Sequence, residues 1–393
     1  MKNSIKNSGL RATMYSSVVL LFMLLNVSCK TGPLDKESPD KEKVMADSMD
    51  ALMADTWSPW VAISNTTNQT LEIYNYNTTT WNSTTANWIF KPTTTLGFSS
   101  GALTAIEGGF GDQRLHYVTG FPSKASSAVA VQGGRWLGIC AYIPLGSYVK
   151  GQKLWEKTYA AADDPNNHAI ELLPNGNLAV AGYGGSAAGA GNWIRIYNTA
   201  NPAVTNDYAQ ITLKGAHALL WDPAYNLLWA GGQVEVDGTN YHGVFAYTIG
   251  GTRENPTITE VVSKRSVKTW RNAANPNGFR YPHDLQPDYD NDDKMFYSDH
   301  TGVYEYNKIT KVFTRAPGAA GLYVAPADNV TLKSAGKQAD GKYVITKTDN
   351  LAPCQYTTNN VEFYDGTTGA FAFSRSVSAC TIYRARVWTH PYQ

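Results

Sequence analysis

Apolar and polar positions alternate along most of this chain in short runs, and Gly, Asp and Asn separate the runs. Alternation at a period of two is the mark of a half-buried strand, and those residue types make the tight turns that join strands. One unit recurs. It has a polar or His-containing start, a short strand, a Gly/Asp/Asn turn, an apolar strand, a loop, a strand ending in a Tyr-rich IYN or EYN, and a last strand. The clearest copy is NNHAIELLPNGNLAVAGY at residues 166–183 with NWIRIYN at 192–198. Others begin at Gly215, Tyr281 and Thr331, and a more diverged one begins at Arg114. At the amino end, residues 61–75 supply middle strands without an opening strand, and TIYRARVW at 381–388 reads as the missing one.

Such a split repeat predicts an all-β fold: a β-propeller of six blades, each of four antiparallel strands, closed by pairing the N- and C-terminal strands. Seven blades follow if residues 91–111 carry a degenerate one. In this architecture the start of each innermost strand and the loop between second and third strands open on one face of the disc. The innermost starts bring His168, His217, His283 and Lys333 there, with Arg384 or Arg386 from the closing strand. The second-to-third loops bring Tyr183, His242, His300 and Cys354, and Arg280 precedes His283 on the same side. Five of the seven histidines thus share a face. Neutral imidazole is both a general base and a metal ligand near neutral pH. His283 and His300, joined by one hairpin, are the best-supported metal pair, and with His217 or Cys354 they would complete a zinc or manganese site.

Other polar features carry less chemistry. Asp284, beside His283, points the opposite way along its strand and reads as a blade-to-blade hydrogen bond. The acidic run at 288–293 reads as a solvated turn. Trp193, Trp221, Trp229, Tyr247 and Tyr306 read as filling between blades. The Gly-rich stretch at 182–192 lacks the GK[ST] and strand-to-helix setting of a phosphate loop, so nucleotide binding is rejected. No Ser elbow of the GxSxG kind is expected, and HExxH does not occur.

Composition agrees with short strands and tight turns: 24 Tyr, 11 Trp, 12 Phe and 34 Gly among 393 residues, 43% hydrophobic and 17% charged. The first 28 residues have a basic start and an apolar run at 18–25, too short to span a bilayer, and read as a signal peptide. Loss of its three basic residues takes the formal charge from +1 to −2, which argues against nucleic acid as a partner. The run ends in LNVSC, which resembles the lipobox of bacterial lipoproteins. Asn26 departs from the usual small or aliphatic residue there, a looseness common in Bacteroidetes. The resemblance implies lipidation of Cys29 and a stable anchor, because more than one acyl chain is buried. Residues 29–56, charged and Pro-containing, read as a tether, and the folded domain is expected over 57–393. In an exported protein Cys354 and Cys380 are the plausible disulfide pair, and Cys140, inside an apolar run, reads as a buried free thiol.

The ordered set NHAIELLPNGNLAVA, GAHALLWD, PHDLQP with KMFYSDHTGVYEY, LKSAGKQ and IYRARVW resembles a family of uncharacterised Bacteroidetes exported propellers, a domain of unknown function, over residues 57–388. In layout the chain is distantly similar to propeller polysaccharide lyases such as ulvan and oligogalacturonate lyases. That resemblance implies proton abstraction beside a uronate carboxylate by His or Tyr, and neutralisation of the carboxylate by Arg or a metal. The expected function is an exported, outer-membrane-anchored lipoprotein, periplasmic or on the cell surface. Its His-rich face binds an acidic polysaccharide or oligosaccharide and cleaves it by β-elimination if it is an enzyme. His168, with Tyr183 or His217, would be base and acid, and Arg280, Arg384 or Arg386 the carboxylate partner. The alternative is a non-catalytic glycan-binding or scaffold propeller.

Overall fold

A ring of six antiparallel blades organises the chain, and all but the first are built from strands in sequence order from the axis outward. The computed structural model describes residues 59–106, 109–183, 191–201, 207–268, 281–317, 322, 331–348, 356–377 and 381–388. The leader, Cys29, the tether, Arg280, Cys354 and Cys380 lie outside them. Among the described residues no helix is long and apolar enough to cross a membrane.

The chain closes as the split repeat predicts. Ile382–Val387 is the innermost strand of the first blade and pairs antiparallel with Trp60–Asn65, Val61 opposite Val387 and Ile63 opposite Ala385. The Thr66 amide donates to the Thr381 carbonyl at 2.7 Å and the Trp388 amide to that of Trp60 at 3.0 Å. The other innermost strands are Phe110–Tyr117, Asn167–Leu172, Ala218–Asp222, Asp284–Pro287 and Thr331–Lys337. Each lies beside the next around the axis. Residues 91–111 carry no seventh blade. After Trp88–Phe90 they form a 3-10 turn at Thr94–Leu96 and a short helix at Ser100–Ala105, capped by the Ser99 hydroxyl. Phe98, Ala102, Ala105 and Ile106 pack between the first two blades.

Radial position explains the hydrophobic pattern. Innermost strands are buried on both sides, because alternate side chains enter the two flanking interfaces. Ile170 and Leu172 join Leu178, Val180 and Trp193 against the second blade, whereas Ala169 joins Ala179, Ala181 and Ile194 against the fourth. Outermost strands such as Tyr208–Thr212 alternate between exposed and half-buried positions. Six apolar clusters result, one between each pair of neighbouring blades. Trp193, Trp221, Trp229, Tyr247 and Tyr306 lie in them, and Cys140 is buried and unbridged. The hairpin at 173–177 turns on Gly176, whose φ of +86° and closeness to Phe121 leave no room for a side chain.

Two features depart from expectation. Leu227–Val236 and Thr239–Gly251 extend as a long ribbon turned by Asp237 and Gly238, both at positive φ, so His242 lies within a strand rather than in a loop. Ser266–Lys268 adds to that ribbon, with Lys268 opposite His242. The acidic run is not solvated throughout, because Asp288 is buried and accepts from the Asp290 amide.

Candidate functional site

Two layers of polar side chains line the axis, and both come from the innermost strands. Nearest the strand starts, four histidines make a chain of ring contacts. His168 stacks on His217 with centroids 3.8 Å apart, His217 meets His283 edge-on at 4.8 Å, and His283 stacks on His300 at 4.6 Å. Tyr183 touches His168 and His217, each at 5.2 Å, and Tyr281 lies over His217 at 5.5 Å and beside Tyr183 at 4.9 Å. His242, on the ribbon, meets Tyr281 at 5.4 Å. The sequence reading therefore placed His168, His217, His283, His300 and Tyr183 on one face, and the fold brings them into contact.

His217 and His283 are buried, and neither ring nitrogen of either hydrogen-bonds to a described residue. Burial, with the Arg384 and Lys333 charges adding to it, holds the His168 imidazole down at about 3. Burial likewise pushes His217 and His283 well below the usual value and His242 to about 4. These rings are neutral at pH 7. Burial also raises the Tyr183 phenol, and a hydrogen bond with Tyr281 adds to that.

Lys333 closes the other side of this mouth. Its Nζ lies 5.3 Å from the Tyr383 ring centre and 5.6 Å from that of the exposed Tyr356. Burial, helped by Arg384, lowers its pKa to about 7. Its charge, like that of Arg384, adds to the depression of His168, His217 and His283.

Further along the same strands lies a compact ion network. Asp112 receives Arg384 at 2.9 Å and Arg386 at 2.7 Å, and Arg386 also reaches Asp284 at 2.8 Å. Arg114 contacts Glu171 at 3.3 Å and Asp284 at 3.9 Å, and His116 meets Glu171 at 2.6 Å. Gln286 donates to Asp284, and the Ile170 and Trp221 amides donate to Asp112 and Glu171. Arg384 also donates to the His283 carbonyl at 2.7 Å, which ties the two layers together. Burial alone would raise the Asp112 and Glu171 carboxyls. The surrounding Arg386, Arg384 and Arg114 charges outweigh it for Asp112, as Arg114 and His116 do for Glu171, and both end below the usual range. Asp284 belongs to this network, on the other side of its strand from His283.

The arrangement separates two groups of residues expected to work together. Arg384 and Arg386 carry charges already matched by Asp112 and Asp284, whereas Lys333 has no carboxylate within 4 Å among the described residues. No three His, Cys, Asp or Glu among the described residues are placed to share a metal ion. Sequence reading missed Tyr281, Tyr356 and Tyr383 on the mouth, and Asp112, Arg114, His116 and Glu171 below it. Isolated charges inside apolar strands, such as Glu171 in AIELL, were the available signal.

A model of the family of unknown function DUF6528 matches residues 151–360, which is more than half of the chain and runs from the end of the second blade into the sixth. No curated protein matches the chain. Solved structures with a similar course include a eukaryotic initiation factor at 11% identity, covering 84% of this chain and 98% of that one, with a TM-score of 0.34. Kluyveromyces lactis Hsv2 is 12% identical over 78% of this chain and 71% of its own, with a TM-score of 0.40. Raptor from Chaetomium thermophilum is 12% identical over 83% of this chain but 24% of its own, with a TM-score of 0.42. At such scores these likenesses carry no argument about what this chain does.

Proposed function

This chain belongs to DUF6528, a family of unknown function, and we propose that its propeller binds an acidic glycan at the histidine-lined mouth. The carrying observation is the contiguous His168, His217, His283 and His300 array, in which His168, His217 and His283 are neutral, beside the Tyr183 and Tyr281 rings. Sugars are bound by side chains that combine an aromatic face with hydrogen-bonding edges, and imidazole and phenol offer both. The lipobox-like LNVSC and the charged segment after it make an exported, lipid-anchored location part of the same proposal.

Cleavage by β-elimination is the second reading. It is favoured by the contact of His168, His217 and Tyr183, which would put a base and an acid on one ligand. Binding ranks first because an imidazole held at about 3 is a weak base for a C–H proton. The test is calorimetric titration of the purified full chain with galacturonate and glucuronate oligosaccharides, with ultraviolet absorbance of unsaturated product followed in parallel. Heat without absorbance supports binding, absorbance promotes the lyase reading, and neither signal on any acidic glycan overturns both.

A further inference from the structure

Lys333 is the one cation of the axis that the protein leaves uncompensated among the described residues. Arg114, Arg384 and Arg386 face Asp112, Glu171 and Asp284 at ion-pair distances, so three guanidinium groups meet three carboxylates. The Lys333 side chain is 5% exposed, and among the described residues the rings of Tyr356 and Tyr383 lie nearest its ammonium in place of a carboxylate. A buried charge without a counter-ion is costly unless something else supplies one. Two residues before it on the same strand, the Thr331 hydroxyl meets His300 Nδ1 at 3.4 Å, so the start of Thr331–Lys337 lies at the histidine array. Those imidazoles are neutral and bring no positive charge of their own.

Resting on the glycan reading above, we propose that Lys333 receives the carboxylate of a uronate residue and that Arg384 and Arg386 hold the propeller axis instead. A carboxylate at Nζ would hold the amine in its protonated form and accept a charge-assisted hydrogen bond from it. Tyr356, 62% exposed, stands beside Lys333 as a flat surface for the sugar ring that bears the carboxylate. The imidazole and phenol edges across the mouth meet the neutral hydroxyl groups. The site thus selects a singly charged uronate over a neutral sugar by one residue.

The probes are tetragalacturonate and a glucuronate-containing tetrasaccharide, each as the free acid and as the methyl ester, titrated into the full chain. The wild type is expected to bind one acid about tenfold or more tightly than its ester. Lys333→Met, which keeps the apolar stem, is expected to bind acid and ester alike, and Lys333→Arg to retain the preference for acid. An unchanged preference in Lys333→Met overturns this assignment and leaves the glycan reading standing. Binding of neither acid nor ester by the wild type overturns the glycan reading and the assignment with it. A sulfated neutral tetrasaccharide serves as a further arm: if it binds through Lys333 more tightly than either uronate, the anion is a sulfate ester and the uronate assignment falls. Thermal melting of both variants accompanies each titration, so a loss of fold is not read as a loss of binding.

Discussion

Neighbouring residues on the same innermost strands behave in opposite ways. His283 and Asp284, or Tyr383 and Arg384, are adjacent in sequence, yet the first of each pair borders the mouth and the second belongs to the ion network. In the network every charge has partners within the protein. At the mouth, the ring nitrogens of His217 and His283 hydrogen-bond to no described residue, and the Lys333 ammonium has no carboxylate among them. Polar groups that satisfy one another hold blades together, and polar groups left facing a shared space are positioned for a ligand. The contrast places arginine in the architecture and, on the proposed reading, leaves histidine with lysine for recognition.

Acid should act on the mouth first and with the largest effect. His168, His217, His242 and His283 stay neutral in the folded protein well below 6.5, while an unfolded chain protonates them there. The unfolded state then binds more protons, so stability is intact above pH 6.5 and falls as pH drops towards about 4. The loss is about 1.4 kcal/mol per pH unit for each imidazole that remains neutral. Asp112 and Glu171 add to the loss only below the ordinary carboxyl values of 3.8 and 4.5. Chemical denaturation between pH 6.5 and 5 isolates the imidazoles, and a flat profile there would show that they take up protons in the folded state.

Asp112→Asn tests the other layer. It strands the inaccessible guanidinium of Arg384 and leaves that of Arg386 with Asp284 alone, and should cost about 3 to 5 kcal/mol in unfolding free energy. A cost below about 1 kcal/mol would mean that the network does not hold the axis. His283→Ala should have the smallest effect on stability, under about 1 kcal/mol, while abolishing glycan binding and removing its share of the acid sensitivity. A structural imidazole would instead cost about 1 to 3 kcal/mol and leave binding intact.

Most of the architecture was legible in the chain because a propeller repeats one local pattern. The segments 166–183 and 215–232 each contain a complete inner hairpin, and TIYRARVW is recognisable as a strand whose partners lie at the other end. The second blade was read as starting at Arg114, whereas its inner strand begins at Phe110. That displacement hid Asp112, since a carboxylate between Gly111 and Gln113 reads as a turn residue until its arginine partners, more than 270 positions away, are in place. His242 was misplaced for a related reason, because an Asp-Gly turn lets strands run on past the length of an ordinary blade.

The sequence by itself determined the strand periodicity, a repeat count of six or seven, the closing strand and the face on which the histidines meet. All of these follow from alternation and turn chemistry, which act over a few residues. Only the tertiary structure decided which charges compensate which. The pairing of Arg384 and Arg386 with Asp112, and the isolation of Lys333 among aromatic rings, depend on six separate strands converging on one axis. In that low-dielectric setting a few ångströms decide whether an ion is matched or exposed to a ligand, and no local pattern encodes such a distance.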